Sequence, residues 1–210
     1  YYFYLDNTPS HSYMKFLYKY PQREFPYREI YDQNNRRTKA DDEFELIDTG
    51  IFDDNAYFDI FIEYAKEDVD DIYIRIKAIN RGEQTAPLHI LPTLWYRNTW
   101  SWTPDSEVPA IGAADDAMVA KFRADTLSGL YSLAAADMLF CRNETNGPAL
   151  AGEGDGVPQA KDGIGRFVMS GNETAVSRET GTKAAFHYRI EIPPGGSHEL
   201  YFRLSDAASD

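Results

Sequence analysis

The groups in this chain able to do chemistry are four histidines, one cysteine and 34 acidic side chains. His11, His89, His187 and His198 show no metal-ligand spacing and Cys141 stands alone, so no metal site is expected. His187 falls on the polar face of an alternating segment and His198 beside a turn, and both read as surface histidines. Cys141, in Met138-Leu139-Phe140-Cys141, reads as a buried small hydrophobe rather than a nucleophile. No G-x-S-x-G elbow occurs, and no glycine-rich loop enters a helix. Neither an activated serine, a phosphate cradle nor a cofactor is therefore expected. A glycosidase-type carboxylate pair must flank a cleft at roughly 5–10 Å, which spacing along a chain does not show. Asp41-Asp42-Glu43, Asp53-Asp54 and Asp115-Asp116 read as solvated loop charges, and no EF-hand order is present.

What remains is a polar–aromatic surface. Pro92 to Trp102 holds all three tryptophans beside Arg97, Asn98 and Thr99. Flat rings among hydrogen-bonding groups suit a surface facing a sugar or another domain. The alternative is a strand that puts Trp95 in a core and leaves Trp100 and Trp102 at its frayed end. A second set, His11, Tyr13, Lys15, Tyr18, Lys19 and Tyr20, offers the same mixture. With Arg97, Trp100 and Trp102 these are the candidate carbohydrate-contacting or domain-interface residues. Stacking on a sugar and packing on a domain ask for the same residue types, so both readings stay open.

A net charge of −13 argues against a nucleic-acid backbone or an anionic membrane surface as partner. A neutral ligand such as a carbohydrate fits better. No apolar run approaches the ~18 residues of a membrane span, and no basic-then-apolar leader opens the chain, so a cytoplasmic protein is expected. Asn143-Glu144-Thr145 and Asn172-Glu173-Thr174 match the glycosylation pattern, which short segments do by chance. The chain starts at Tyr1 inside an aromatic run, and Ser205 to Asp210 reads as the start of a linker. The expectation is one domain over residues 1–205, truncated at its N-terminus, with 206–210 leading to a further domain.

The elements that must position these residues are mostly strands. Residues 1–31 hold eleven Tyr or Phe residues, extended to Pro21 with a turn at Asn7-Thr8-Pro9-Ser10. Pro26 opens a short helix through Tyr27, Ile30 and Tyr31. Apolar residues then alternate over Phe58–Tyr64 and Ile72–Ala78, with a turn at Asn80-Arg81-Gly82. Ala86–Tyr96 is the next strand, with Pro87 and Pro92 confining parts of it to an edge or bulge. Residues 103–116 and 146–166 read as loop. Short strands are expected at Ala117–Arg123, Gly129–Ala135, Met138–Arg142 and Arg166–Ser170. Phe186–Ile192 and Leu200–Leu204, joined by Pro193-Pro194-Gly195-Gly196, read as an antiparallel hairpin. The sum is an all-β, antiparallel β-sandwich with one short helix and long loops.

Four stretches carry a family resemblance. Two are long and specific: Tyr1 to Lys15, continuing through Tyr18-Lys19-Tyr20-Pro21-Gln22 and Phe25-Pro26-Tyr27, and Leu91 to Trp102. Two are short: Asn143-Glu144-Thr145-Asn146, and Gly181-Thr182-Lys183-Ala184-Ala185 running into His187-Tyr188. Together they make the chain resemble a bacterial branch of glycoside hydrolase family 63, proteins similar to processing α-glucosidase I (mannosyl-oligosaccharide glucosidase). One departure is visible at Gly163-Ile164-Gly165-Arg166, where such relatives have an aromatic residue and a histidine. The resemblance implies an N-terminal sandwich of the super-sandwich type, followed by an (α/α)6 barrel. It also implies inverting hydrolysis of α-glucosides or mannosides by an acidic general acid and an acidic general base, both in the barrel. This chain matches only the sandwich, so no catalytic residue carries over. The partners implied are that C-terminal catalytic domain and the carbohydrate substrate of the parent enzyme.

Overall fold

The computed structural model describes residues 1–121, 127–152 and 156–206. Its strands are β1 (Tyr2–Asn7), β2 (Tyr13–Pro21), β3 (Tyr57–Asp68), β4 (Asp71–Asn80), β5 (Ala86–Ile90), β6 (Thr93–Trp95), β7 (Ala110–Ala114), β8 (Ala117–Lys121), β9 (Leu127–Ser132), β10 (Asp137–Cys141), β11 (Thr180–Gly181), β12 (Lys183–Ile192) and β13 (Ser197–Ser205). Three short helices accompany them: α1 (Tyr27–Asn34), α2 (Gly147–Ala151) and α3 (Gly163–Ser170). The larger sheet has the order β1-β2-β3-β4-β13-β9-β8-β7-β11 and the smaller β10-β12-β5, with β6 also on β12. The fold is the expected all-β antiparallel sandwich. Among the described residues no helix is long and apolar enough to cross a membrane. The far end of the strand expected to reach Arg123, Gly154 and residues 207–210 of the expected linker lie outside the described residues.

The chain forms two compact units: Tyr1–Ala65 with Arg75–Leu88 and Ile190–Glu199, and Lys66–Ile74 with His89–Arg189 and Leu200–Asp210. In the first, β1 and β2 pair as an antiparallel hairpin across the expected turn, with Tyr2 opposite Tyr18, and β2 lies on β3 with Tyr18 opposite Ile60 and Lys15 opposite Glu63. Ile51, Phe58, Ile76, Ala78, Ala86, Leu88 and Ile192 are its buried apolar residues. Asn80 is fully buried and makes six hydrogen bonds there. Its Oδ1 accepts from Gln22 Nε2 (2.6 Å) and the Gly82 N–H (2.8 Å). Its Nδ2 donates to the carbonyls of Gln84 (2.7 Å) and Ile192 (2.8 Å). Its own N–H donates to the Gly196 carbonyl and its carbonyl accepts from the Gly195 N–H.

Those last bonds explain a departure from expectation. β12 and β13 do not form a hairpin: β12 pairs with β10 and β6, and β13 with β9. The polar groups of Pro193–Gly196 turn to Asn80 instead of closing a ladder, and the connection becomes an arch between sheets. Within the second unit this brings Phe186 of one sheet to 6.0 Å from Phe202 of the other, with Tyr188 at 5.9 Å from the same ring. Each such ring contributes about 1.5–3 kcal/mol by leaving water.

Three further expectations are corrected. Residues 103–116 contain β7, which returns as β8 through the two-residue turn Asp115-Asp116. Its alanines and glycine carry little strand preference, and only Ile111 supplies a fully buried side chain. Residues 146–166 contain α2 and the start of α3, so the single helix becomes three, and Arg166–Ser170 is helix rather than strand. Ile164 and Phe167 are three apart on one helical face and pack with Leu139, Cys141, Val176 and Ala185. Gly163 allows that packing, since a Cβ there would meet the Ala175 carbonyl oxygen at 2.1 Å. Pro87 and Pro92 do fall on the edge formed by β5 and β6.

Asn80→Ala orphans several buried polar groups at once. It is expected to cost about 3 kcal/mol in urea unfolding, more than any surface substitution.

Candidate functional site

The tryptophan segment leaves β6 and is held first at Tyr96, by one backbone bond and one side-chain bond. Tyr96 donates its N–H to the Thr182 carbonyl (3.0 Å), and its carbonyl accepts from Asn143 Nδ2 (2.8 Å). Asn98 Oδ1 then accepts from the Ser101 hydroxyl (2.6 Å), tightening a 3-10 turn over Trp100–Trp102. None of the three tryptophans is buried: Trp95 is 58% exposed and Trp102 67%. This excludes the reading that places Trp95 in a core. Trp100 Nε1 donates to Glu144 Oε1 (3.1 Å), which also takes an ion pair from Arg142 (3.0 Å). The Arg97 guanidinium lies 5.2 Å from the Trp102 ring, a cation–π contact.

Tyr96, Arg97, Thr99, Trp100, Ser106 and Glu107 border a concavity of about 380 Å³. An indole, a guanidinium, a carboxylate and two hydroxyls there can stack on a flat ligand and hydrogen-bond its rim. No nucleophile with an adjacent base is assembled around it. Among the described residues no group of three or more His, Cys, Asp or Glu could hold a metal ion.

The second candidate set divides between the two faces of β2. Tyr13 and Lys15 share a face with Lys19. Tyr13 Oη donates to Glu63 Oε1 (2.7 Å), Lys15 pairs with the same carboxylate (3.4 Å), and Lys19 Nζ donates to Asp59 (2.6 Å). Arg75 reaches Glu63 at 3.2 Å, and Arg81 reaches Asp59 at 2.7 Å. The Tyr13 hydrogen bond, with Arg75 and Lys15, holds the Glu63 carboxyl below its ordinary range against desolvation. The same bond, followed by desolvation, pushes the Tyr13 phenol up to about 12. These residues are committed to one another.

Tyr18 and Tyr20 lie on the opposite face. The Tyr2 and Tyr18 rings are parallel within 9° at 4.3 Å, and Tyr20 is tilted against Tyr18 at 5.7 Å. Burial, then the neighbouring phenols of Tyr2 and Tyr20, pushes the Tyr18 phenol up to about 12. Tyr4 is 94% exposed and Tyr27 74%. His11 sits in the β1–β2 turn at positive φ, with Nδ1 3.2 Å from Asn7 Oδ1.

One grouping escaped the sequence. His187 is not a surface histidine. It is 4% exposed, and its Nε2 lies 2.9 Å from His89 Nδ1. The two are 98 positions apart, so no spacing signal joins them. The available hint was Ala184-Ala185, small residues that let both faces of β12 be covered; Ala184 to Tyr188 are all buried. Cys141 is buried as expected, and desolvation raises its thiol pKa. His198 is exposed as expected.

No family model matches the chain. It is similar to the uncharacterized protein YMR196W of Saccharomyces cerevisiae, 35% identical over 233 aligned residues that take in 92% of this chain and 21% of that protein. The chain thus spans about a fifth of the length of this relative. Among solved structures, a galactose mutarotase related enzyme from Lactobacillus acidophilus matches with a TM-score of 0.36 and 8% identity, over 99% of this chain and 71% of that one.

Because the folded-state pKa of Glu63 is depressed, its stabilisation is present above the unfolded value near 4.5 and is lost as pH falls through the folded value. Tyr13→Phe is expected to raise the Glu63 pKa in a carboxyl NMR titration. It should cost about 1 kcal/mol at neutral pH, a deficit that shrinks once Glu63 is protonated.

Proposed function

We propose that this chain is the non-catalytic β-sandwich domain of an α-glycosidase resembling glycoside hydrolase family 63. It packs on an (α/α)6 catalytic domain of the same polypeptide, in the cytoplasm, and helps shape that domain's pocket. The observation that carries the reading is the β1–β2 hairpin. An ordered strand pair displays Tyr2 at 65% and Tyr4 at 94% exposure, with Tyr2 stacked on Tyr18 and Tyr20 tilted against Tyr18. Contiguous apolar surface of this kind on a folded unit marks an interaction face. The two long resembling stretches, Tyr1–Tyr27 and Leu91–Trp102, contain both aromatic surfaces. The greater length of the yeast relative supports a reading in which this region is one domain among several. The acid and base of hydrolysis belong to the barrel, and a nucleic-acid or membrane partner has no place in this reading.

A second reading, an autonomous carbohydrate-binding module, is favoured by the concavity beside Trp100. All three tryptophans lie in or next to that segment, so their emission reports on it. A shift with glucosides or mannosides that Trp100→Ala removes favours this module; no response at high millimolar sugar rejects it.

For the leading reading, the isolated chain is expected to self-associate in light scattering and to bind a hydrophobic dye. The double substitution Tyr2→Ser with Tyr4→Ser should disperse it, and aryl α-glucosides should not be hydrolysed. A native chain that is monomeric and dye-free, or that turns over glycoside, overturns the proposal.

A further inference from the structure

The imidazole pair formed by exposed His89 and buried His187 lies beside α3 and has no part in either aromatic surface. Phe167 of α3 meets the His187 ring edge-on, with centroids 6.0 Å apart and planes at 83°, and the Arg178 guanidinium lies 4.8 Å from the centre of the Phe167 ring. His187 Nδ1 is buried without a hydrogen-bond partner. Proton counting on the four ring nitrogens then gives a definite result. In the neutral pair, His187 Nε2–H donates to His89 Nδ1, the His89 Nε2–H faces outward from an exposed residue, and His187 Nδ1 is a bare lone pair. This arrangement buries no orphan donor. A third proton cannot be added without changing it. With the bridge intact, both outer nitrogens must carry hydrogen, so a proton entering from either ring places an N–H on His187 Nδ1, where no acceptor stands.

The charged groups facing the pair do not relieve this. Asp137 of β10 is bonded to Arg189 of β12 (2.9 Å), Arg178 is paired with Glu173 (2.9 Å), and Arg166 of α3 is paired with Asp162 (3.3 Å). Burial and then the neighbouring His89 lower the His187 pKa, in keeping with the geometry.

We infer that the His89–His187 pair is an acid-sensitive latch: one proton taken up by the pair releases α3 from the sheet and uncovers the apolar cluster beneath it. The cluster contains Leu139, Cys141, Ile164, Phe167, Val176 and Ala185. The unfolded or opened form, with an ordinary imidazole near 6.5, takes the proton first, so the closed state loses stability as pH falls from that value toward the lowered one.

Cys141, the sole thiol of the chain, is 1% exposed under α3 and reports the opening. Its modification by 4,4′-dithiodipyridine is measured from about pH 7.5 to about pH 5, relative to the denatured chain at each pH. The native rate ratio should rise severalfold as pH falls across this range. The His187→Phe substitution, which fills the apolar site without a titrating group, should leave it flat. A measurement needing no substitution accompanies this: the rise should share its midpoint with the imidazole NMR resonances of His187. A flat native profile, a rise that persists in His187→Phe, or a midpoint unrelated to His187 overturns the latch.

Discussion

A single buried amide holds the first unit's turns together. Asn80 fills every donor and acceptor of its side chain within one small volume, and its backbone bonds both ways to the 193–196 connection. Burying an amide without partners is costly, so each of the segments it touches is held to one conformation. The end of β2 is fixed through Gln22, the β4–β5 turn through Gly82 and Gln84, and the β12–β13 arch through Ile192, Gly195 and Gly196. An apolar residue of equal volume would leave the strands their ladders and lose this definition.

The two aromatic surfaces differ in how they are built. The hairpin rings are mounted on a regular ladder, and their positions follow from strand pairing. The tryptophan segment has no ladder beyond Trp95. Side chains place it: Asn98 closes the turn, Asn143 holds Tyr96, and Glu144 receives the Trp100 indole. A carboxylate shared between an indole N–H and Arg142 keeps the ring orientation defined on a half-exposed surface. The opposite face of β2 contrasts with both, because its phenol and ammonium groups are consumed in bonds to Glu63 and Asp59.

Strand existence was largely legible, since period-two alternation in the sequence marks β3, β4, β12 and β13. What alternation does not encode is the partner of each strand. The pair at 186–204 has the composition and short connection of a hairpin, and only the distant Asn80 makes it an arch. Helix α3 was hidden by its glycines, which oppose helix in isolation; of the two, Gly163 is required by the close approach of the Ala175 carbonyl. The candidate residues were legible as types and not as faces. Tyr13 and Tyr18 look equivalent in sequence, yet they are an odd number of positions apart and point to opposite sides. His187 was misread for a related reason: its face is polar along the strand and is covered by an element more than fifteen residues upstream.

The arch also orders events in time. β13 stands between β4 and β9 in the larger sheet, and β12 stands between β10 and β5 in the smaller. Neither sheet is continuous until the segment from Lys183 to Ser205 has left the ribosome. Earlier strands emerge with open edges and uncovered Phe and Tyr rings, and they must wait for their central partners. Pairing in both sheets therefore closes late along this stretch of chain, through contacts of high sequence separation.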